Sequence, residues 1–314
     1  GQVSTFNSYM SLIIAPLALM SIVLPLVLRG DVSAERILEA FDAEPTVLDK
    51  EGIEPKEPEE IEGKISFENV SFAFRRADGE LAPPALKNLD LTIEPGQKVG
   101  FLGATGSGKS ALVNLIPRFY DVTEGRITID GHDVRDIPQD QLREIVGIAL
   151  QEAMLFQGDV RFNLKFGAQH AEDKQMFEAA KAADAHGFVT GLPETWGAPV
   201  ARRGYNFSGG QRQRLSIART LTAAPKVLIL DDSTSALDVA TESRVQAAIP
   251  ELYEGITTIY IAQRISAVID LDRIVLMESG EITAIGTHEE LLESSPLYQE
   301  IYESQLGGVE EEKA

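Results

Sequence analysis

The sequence predicts an α/β protein preceded by one apolar helix, and three observations lead to that fold class. No charged residue occurs from Gly1 to Leu28, and residues 12–28 are almost wholly apolar. From Ile65 onward, short apolar runs typical of buried strands alternate with helical stretches, as in α/β proteins. Between the two regions, Asp49–Glu62 combines seven acidic residues with Pro55 and Pro58, a composition typical of an exposed linker.

The N-terminal apolar run has the length of a membrane span. About 20 such residues cross a bilayer core as a helix, so we predict a transmembrane segment near residues 6–28. A signal peptide and a buried helix of a soluble domain stay open as alternatives, although the basic start and small-residue cleavage site of a signal peptide are poor here. Pro16 and Pro25 are tolerated in membrane helices.

Small residues follow a helical spacing within this run. They are Ser4, Ser8, Ser11, Ala15 and Ala18. Such a stripe could face a polar pathway or allow close helix packing. Arg29 places the following chain in the cytoplasm by the positive-inside bias. A second helix is predicted at Ser33–Phe41, with an apolar face.

The composition of the chain limits the number of domains and the kinds of partner and metal site that are possible. The 314 residues suggest about two domains, and 44 % apolar residues suffice for a sizeable core. The 28 basic and 49 acidic side chains give a net charge of −21, which argues against nucleic acid as a partner because a strongly acidic chain repels phosphate backbones. The absence of cysteine excludes disulfides and thiolate metal sites.

The strands and helices of the α/β region are predicted from local patterns. Alternation or continuous apolar character predicts strands at Ile65–Val70, Leu86–Ile93, Lys98–Leu102, Ile145–Leu150, Val227–Leu230, Thr257–Ile261 and Ile274–Met277. Helical stretches include Lys174–Ala183 and Gln211–Thr222. The acidic tail, residues 309–314, is predicted to be disordered.

A phosphate-binding loop follows the third of these strands. The pattern G-x-x-x-x-G-K-[ST] is matched by Gly103, Ala104, Thr105, Gly106, Ser107, Gly108, Lys109 and Ser110, and the predicted helix continues with Ala111. Glycines let backbone N–H groups wrap phosphate oxygens, and Lys109 supplies a positive charge to the β- and γ-phosphates. The Ser110 hydroxyl is the predicted ligand of Mg²⁺.

A second element of nucleotide chemistry ends a later strand. Val227–Asp231 is an apolar run closed by a carboxylate, the Walker B pattern, in which Asp231 holds Mg²⁺. An Asp after a strand also serves as a helix cap, and for Asp231 alone that interpretation would be preferred. Together with the phosphate loop, the pattern favours the metal role.

Further motifs resemble those of the ATP-binding cassette (ABC) family over residues 63–306. The segment Phe207, Ser208, Gly209, Gly210, Gln211 is similar to the family signature, and Ser235, Ala236, Leu237, Asp238 to its D-loop. Phe74 stands where the family stacks an aromatic ring on adenine, and Gln151 resembles its Q-loop glutamine, a further Mg²⁺ ligand. The resemblance implies ATP and Mg²⁺ as cofactors, held between two cassettes so that each signature contacts the nucleotide of the other subunit.

The resemblance also implies an architecture. It predicts a P-loop NTPase core sheet of the RecA-like type, an antiparallel β subdomain around residues 63–95, and a helical subdomain between Gln151 and the signature. The domains implied are the last transmembrane helix of an exporter with its cytoplasmic extension (1–41), the acidic linker (42–62), the nucleotide-binding domain (63–308) and the tail (309–314). The chain would then be the C-terminal part of a larger, multi-pass subunit.

Two positions depart from the family at the catalytic site, where the resemblance places Asp232, Gln263 and Gln151. Asp232 stands where the family has a glutamate base, and Gln263 where it has a histidine in the switch motif. An Asp carboxylate reaches about 1–1.5 Å less far, and an amide cannot carry the imidazole charge. We expect a site that binds ATP and hydrolyses it slowly.

These departures imply a particular partner. The intact signature would serve a second, non-identical exporter half that carries the Glu and the His, whereas a homodimer would be a poor ATPase. The expected function is export, of drugs or lipid-like compounds, across the cell membrane, with the cassette cytoplasmic and the lipid bilayer and the missing membrane helices as further partners. A non-hydrolysing regulatory subunit and a soluble ABC ATPase are the alternatives. Arg202, where exporters often have Glu, is a further departure.

Overall fold

The computed structural model describes residues 1–42, 45–55, 61–76 and 79–310, with only the backbone of residues 307–310. The chain divides into two compact units, Gly1–Leu48 and Asp49–Ala314. Residues 43, 44 and 56–60 of the predicted linker, and 311–314 of the predicted tail, lie outside the described residues.

The first unit contains a single long helix, α1, from Gln2 to Phe41. It joins the two helices predicted from the sequence, because Arg29, Gly30 and Asp31 change the polarity of the chain without breaking the helix. None of its residues is buried, and its most apolar stretch has a mean hydropathy of 2.5, so it is long and apolar enough to cross a membrane. A signal sequence passes the same test. The Ser8 and Ser21 hydroxyls donate to carbonyls one turn back at 3.0 Å, which satisfies them within the helix.

The second unit alternates strands with helices, as the sequence predicts. Its strands are β1 (Ile65–Phe72), β2 (Leu86–Ile93), β3 (Lys98–Leu102), β4 (Glu124–Ile129), β5 (His132–Asp133), β6 (Val146–Ala149), β7 (Gly158–Asp159), β8 (Pro199–Val200), β9 (Val227–Asp231), β10 (Thr257–Ala262), β11 (Arg273–Glu278) and β12 (Glu281–Gly286). Its helices are α2 (Lys109–Leu115), α3 (Gln139–Ile145), α4 (Val160–Leu164), α5 (Asp173–Ala182), α6 (His186–Thr190), α7 (Gly209–Thr222), α8 (Val239–Leu252), α9 (His288–Ser294) and α10 (Pro296–Glu310).

A six-stranded sheet in the order β12-β11-β3-β10-β9-β6 forms the centre. All its strand pairs are parallel except the edge pair β11 and β12. The strand predicted at Ile145–Leu150 is shorter than expected, because Ile145 ends α3 and Leu150 lies beyond β6. The carboxyl ends of β3, β9 and β10 meet at one edge of the sheet, where nucleotide sites form in such folds.

A second, antiparallel sheet has the order β2-β1-β4-β5. Its first two strands lie in the predicted antiparallel portion around residues 63–95, but β4 and β5 come from residues 124–133, beyond that range. The expected helical region is also present, with α4, α5 and α6 between Gln151 and the signature.

Strand alternation gives the central sheet two apolar faces. Val227 and Ile229 of β9 join the core that includes α2 and the antiparallel sheet, while Leu228 and Leu230 join the core that includes α5 and α7. Because side chains alternate along a strand, Asp231 belongs to the face on which α2 lies. The period of two therefore directs this carboxylate toward the phosphate loop.

The described parts of the predicted linker pack at both of its ends. Asp49 accepts hydrogen bonds from the Arg118 guanidinium at 3.2 Å and from the Gln139 backbone N–H at 3.1 Å. Ile61 is buried in the core that includes the antiparallel sheet. The prediction of an exposed linker is therefore wrong for Ile61, whereas Asp49 is exposed although it accepts these hydrogen bonds. At the other end, α10 continues through Glu310, so the first two residues of the predicted disordered tail are helical.

Candidate nucleotide site

The phosphate loop, residues 103–108, joins β3 to α2 and depends on glycine at particular points. Gly106 and Gly108 have φ angles of +85° and +102°, in the left-handed region that favours glycine. A Cβ at Gly103 would lie 2.3 Å from the Met277 carbonyl oxygen, and one at Gly108 would lie 2.8 Å from that of Ala85. The loop is therefore packed on its protein side, whereas a Cβ at Gly106 would meet nothing within 4 Å.

Lys109, at the first position of α2, points its ammonium group back into the loop. The Nζ atom donates to the carbonyls of Gly103 at 2.7 Å and Ala104 at 2.9 Å, and to the Ser107 hydroxyl at 3.2 Å. Burial lowers the pKa of Lys109, while the carboxylates of Asp232 and Asp231 act in the opposite direction. The charge thus lies inside the loop, where anionic oxygens would be attracted.

Asp231 ends β9 on the same face as α2 and is 7 % exposed. Burial raises the pKa of its carboxyl, with the Asp232 charge as a second cause, while Lys109 and a hydrogen bond from Ser110 lower it. The structure therefore brings together the two predicted Mg²⁺ ligands Ser110 and Asp231, which lie 121 positions apart in the chain.

The side chains of the two other predicted catalytic residues both contact the Asp232 carboxylate. Its Oδ2 atom accepts from the Gln151 Nε2 at 3.0 Å and from the Gln263 Nε2 at 3.3 Å. Its backbone has a φ of +45° and its N–H donates to the Ile261 carbonyl at 3.0 Å, so the neighbouring strand β10 fixes the turn. Burial raises the pKa of this carboxyl, although Arg264, Lys109 and the Gln151 hydrogen bond oppose the shift.

A cleft of about 350 Å³ joins these groups. Its lining comprises Phe74, Ala85, Thr105, Gly106, Gly108, Lys109, Ser110, Ala111, Gln151, Asp231, Asp232, Ile261 and Gln263. Phe74 is 40 % exposed and is supported edge-on by Phe72 and Tyr120, with ring centroids 4.7 and 5.4 Å away. Sequence reasoning missed Ala85 and Ile261 as lining residues, although the parallel pairing of two predicted strands places Ile261 opposite Asp231.

The residues present fit MgATP in their chemistry. The open side of the phosphate loop offers backbone N–H groups and a buried ammonium to phosphates. A hydroxyl, an amide and a carboxylate, from Ser110, Gln151 and Asp231, are oxygen ligands of the kind that Mg²⁺ accepts beside phosphates and water. Among the described residues, no cluster of three or more His, Cys, Asp or Glu side chains could hold a metal.

The signature lies apart from this cleft. Ser208 caps α7 in a capping box, in which its hydroxyl accepts from the Gln211 N–H at 3.3 Å while the Gln211 side chain accepts from the Ser208 N–H at 2.9 Å. The helix consequently begins at Gly209, and the predicted start near Gln211 is wrong. Phe207 is buried, whereas Ser208 and Gly209 are exposed.

The D-loop residues lie next to the signature. A Cβ at Gly210 would be 3.2 Å from the Ala236 carbonyl oxygen and 3.7 Å from Leu237. Asp238 caps α8 by accepting from the Thr241 N–H at 2.9 Å and from the Thr241 hydroxyl at 2.8 Å, and these two hydrogen bonds lower the pKa of Asp238. Ser235 donates to the Asp232 carbonyl at 2.8 Å, which connects the D-loop to the cleft.

Comparison with known proteins agrees with this geometry. Residues 86–235 match the family model described as ABC transporter. A solved structure of a bacterial Atm1-family ABC exporter with ATP bound superposes with a TM-score of 0.80 at 31 % identity, over 98 % of this chain and 52 % of that one. The predicted fold class, an α/β ABC cassette with one N-terminal apolar helix, is confirmed.

Two curated relatives are named for lipid flipping and for drug export. The chain is 41 % identical over 305 residues to an ATP-dependent lipid A-core flippase of Syntrophus aciditrophicus, covering 96 % of this chain and 49 % of the relative. It is 39 % identical to a putative multidrug export ATP-binding/permease protein of Staphylococcus aureus, covering 97 % and 52 %. The chain thus spans about half the length of the curated relatives it matches.

Proposed function

We propose that this chain, which carries an ABC transporter ATP-binding domain with exporter-type homologues, is the ATP-binding part of one half of a heterodimeric exporter. Its own site binds MgATP and hydrolyses it slowly. Its signature completes the hydrolytic site of a non-identical partner that carries the Glu and the His. Residues 1–41 form the last membrane helix with its extension, and 63–308 the cytoplasmic nucleotide-binding domain.

One observation carries the proposal of a slow site: the two amides of Gln151 and Gln263 converge on the single carboxylate oxygen Oδ2 of Asp232. A general base needs a free carboxylate within reach of the attacking water. The Asp side chain is shorter than Glu by about 1–1.5 Å, and a misplacement of about 1 Å reduces a rate on the order of 10²-fold. Gln263 donates hydrogen bonds but does not titrate as His does.

The roles of the other residues follow from their places around the cleft. Phe74 stacks on adenine, the phosphate loop and Lys109 hold the phosphates, and Gln263 donates to the γ-phosphate. Ser110, Gln151 and Asp231 would hold Mg²⁺, which would supply positive charge to offset that of the nucleotide phosphates. These groups suffice for binding, while the weak base limits hydrolysis.

The exposed signature supports a role toward a second subunit. Ser208 and Gly209 lie at the N-terminus of the 14-residue helix α7, outside the cleft of their own chain. Helix N-termini bind anions, so a nucleotide held by another cassette suits this end of α7. Because the relatives are named for lipid A-core flipping and multidrug export, we propose an amphipathic or lipid-like cargo, moved across the cell membrane by the complete multi-pass protein.

The test restores the two departing residues. Purified 314-residue chain in detergent is assayed for ATP hydrolysis, as the native sequence and as Asp232→Glu/Gln263→His. We expect low native activity and a rise of about tenfold or more in the double variant. Asp140→Glu/Gln169→His makes the same chemical changes at exposed positions outside the cleft and should leave the rate unchanged.

Three outcomes separate the candidate functions. Fast hydrolysis by the native chain alone contradicts the slow site and favours a homodimer. A silent double variant that still binds MgATP contradicts the explanation through Asp232 and Gln263. An ATPase that stays inactive with a Glu- and His-carrying exporter half present favours a regulatory subunit.

A further inference from the structure

The side chain of Gln305, on α10, holds the backbone of the switch segment, residues 261–265. Its Oε1 atom accepts from the Ile265 N–H at 2.8 Å, and its Nε2 atom donates to the Gln263 carbonyl at 3.0 Å. One amide group thus uses both its acceptor and its donor on the main chain that carries Gln263. Two hydrogen bonds of opposite sense set the position and the orientation of this backbone.

The helix that presents Gln305 is itself well anchored. Tyr298 of α10 is fully buried, and its hydroxyl lies 2.7 Å from Nδ1 of His288 on α9. Ile301 packs against the core that includes α5 and α7. Positions 298, 301 and 305 recur at the three- and four-residue spacing that defines one helix face. The amide of Gln305 therefore extends from a fixed support.

The switch segment borders open space on the side of α10. A cavity of about 470 Å³ lies between the phosphate loop, Gln263 and α10, and Ile301 and Gln305 also line it. Ile265 is fully buried, but close packing alone does not hold the segment at Gln263, which lines the cavity. The hydrogen bonds from Gln305 supply the restraint where packed side chains end.

We infer that Gln305 is a positioning residue of the nucleotide site that acts through Gln263. Gln263 therefore has two contacts: its carbonyl accepts from Gln305, and its side chain donates to Asp232 Oδ2 at 3.3 Å. The inference rests on the proposed function, in which Gln263 donates to the γ-phosphate. Loss of Gln305 should then weaken the binding of a nucleotide that has a γ-phosphate and spare one that does not.

The experiment compares the binding of MgATP and MgADP by the full chain in detergent. Gln305→Ala should weaken ATP binding about three- to tenfold, because it removes the two hydrogen bonds that fix the backbone on either side of Gln263. ADP binding should change less than about twofold. Gln299→Ala is the matched control, because Gln299 on the same helix donates instead to the Leu292 carbonyl, away from the switch segment.

A double variant tests whether Gln305 acts through Gln263. Gln263→Ala should weaken ATP binding as Gln305→Ala does, and the two changes together should be no worse than Gln263→Ala alone. Equal losses for ATP and ADP, or losses that add, would overturn the positioning role. If Gln263→Ala itself leaves ATP binding intact, the proposed role of Gln263 fails, and the inference fails with it. A normal Gln305→Ala beside a defective Gln263→Ala overturns the inference alone.

Discussion

The ion pair between Arg264 and Glu242 offers a sharp test of how the switch segment is held. Glu242, in the first turn of α8, has a side chain only 3 % exposed, and its Oε2 accepts from the Arg264 guanidinium at 3.2 Å. Within the described residues, neither the Oε1 atom of Glu242 nor the buried Tyr260 hydroxyl has a hydrogen-bond partner. Arg264 is therefore the main compensation for a buried negative charge.

Replacing Arg264 by Leu should destabilise the second unit markedly. Breaking a buried pair typically costs about 3–5 kcal/mol, because the remaining charge stays buried without its partner. The Arg264 side chain is 41 % exposed, so water relieves part of the penalty, and we expect about 2–3 kcal/mol. In a domain of this size that lowers Tm by about 5–10 °C.

The assay is thermal unfolding followed by the fluorescence of Trp196, the single tryptophan, whose ring packs against Phe177. Arg126→Leu is the matched control, because its ion pair with Glu68 is exposed on both sides and should change Tm by only about 1–3 °C. Glu242→Gln in the Arg264→Leu background should recover more than half of the loss, since it removes the buried charge. Equal shifts for the two arginine variants, or no recovery, would refute the reasoning.

Two further predictions concern the cleft. Phe74→Ala should weaken ATP and ADP binding alike by about five- to tenfold, since stacking on a base contributes about 1–3 kcal/mol and Phe74 is partly exposed. The control is Phe162→Ala, which removes a similarly exposed ring outside the cleft and should leave both affinities unchanged. If calorimetry gives Phe74→Ala and the native chain equal affinities, the stacking role is contradicted. Burial, with the Asp232 charge as a second cause, raises the pKa of Asp231. The contribution of the Asp231 carboxyl to the free energy of unfolding is therefore present below the ordinary pKa of an aspartate, and it is lost as the pH rises through the folded-state pKa. We therefore expect Asp231→Asn to raise the Tm of the nucleotide-free chain near neutral pH, by an amount that shrinks toward about pH 4; a lower Tm throughout in scanning calorimetry would contradict this.

The central sheet was largely predictable because its strands are short apolar runs with clear ends. The bounds of β3 agree with the prediction, since Gly103 follows the run directly and glycine-rich turns end strands. The edge strand β12 escaped prediction because its exposed and half-buried residues alternate and the turn before it is tight. At the edge of a sheet, tertiary pairing outweighs the local apolar signal.

Helix starts and joins were predicted less well, for two different reasons. The capping box of α7 is visible in the sequence as Ser208 followed three residues later by Gln211, so the start at Gly209 could have been predicted. The continuity of α1 through Gly30 has no such signal, because a change from apolar to charged residues alters solvation without ending a helix.

The convergence at Asp232 lay beyond any sequence pattern. The motifs name Gln151, Asp232 and Gln263 separately, but their meeting at one carboxylate oxygen depends on the turn at Asp232 and on side-chain rotamers. Gln305 belongs to no motif at all, and only the packing of α10 brings it to the switch segment. Contacts made by side chains across loops are set by tertiary structure, which periodicity does not encode.

The attachment of Asp49 to Arg118 and Gln139 has a mechanical consequence. Asp49 is the first residue of the second unit, and Arg118 lies just after the end of α2, the helix that begins at the phosphate loop. A pull on the chain before Asp49 is therefore shared between the peptide backbone leading to β1 and a shorter route through the hydrogen bonds of Asp49. Of the two hydrogen bonds that Asp49 accepts, the one from Arg118 would carry tension toward α2 and the phosphate loop, and the one from Gln139 would carry it toward α3.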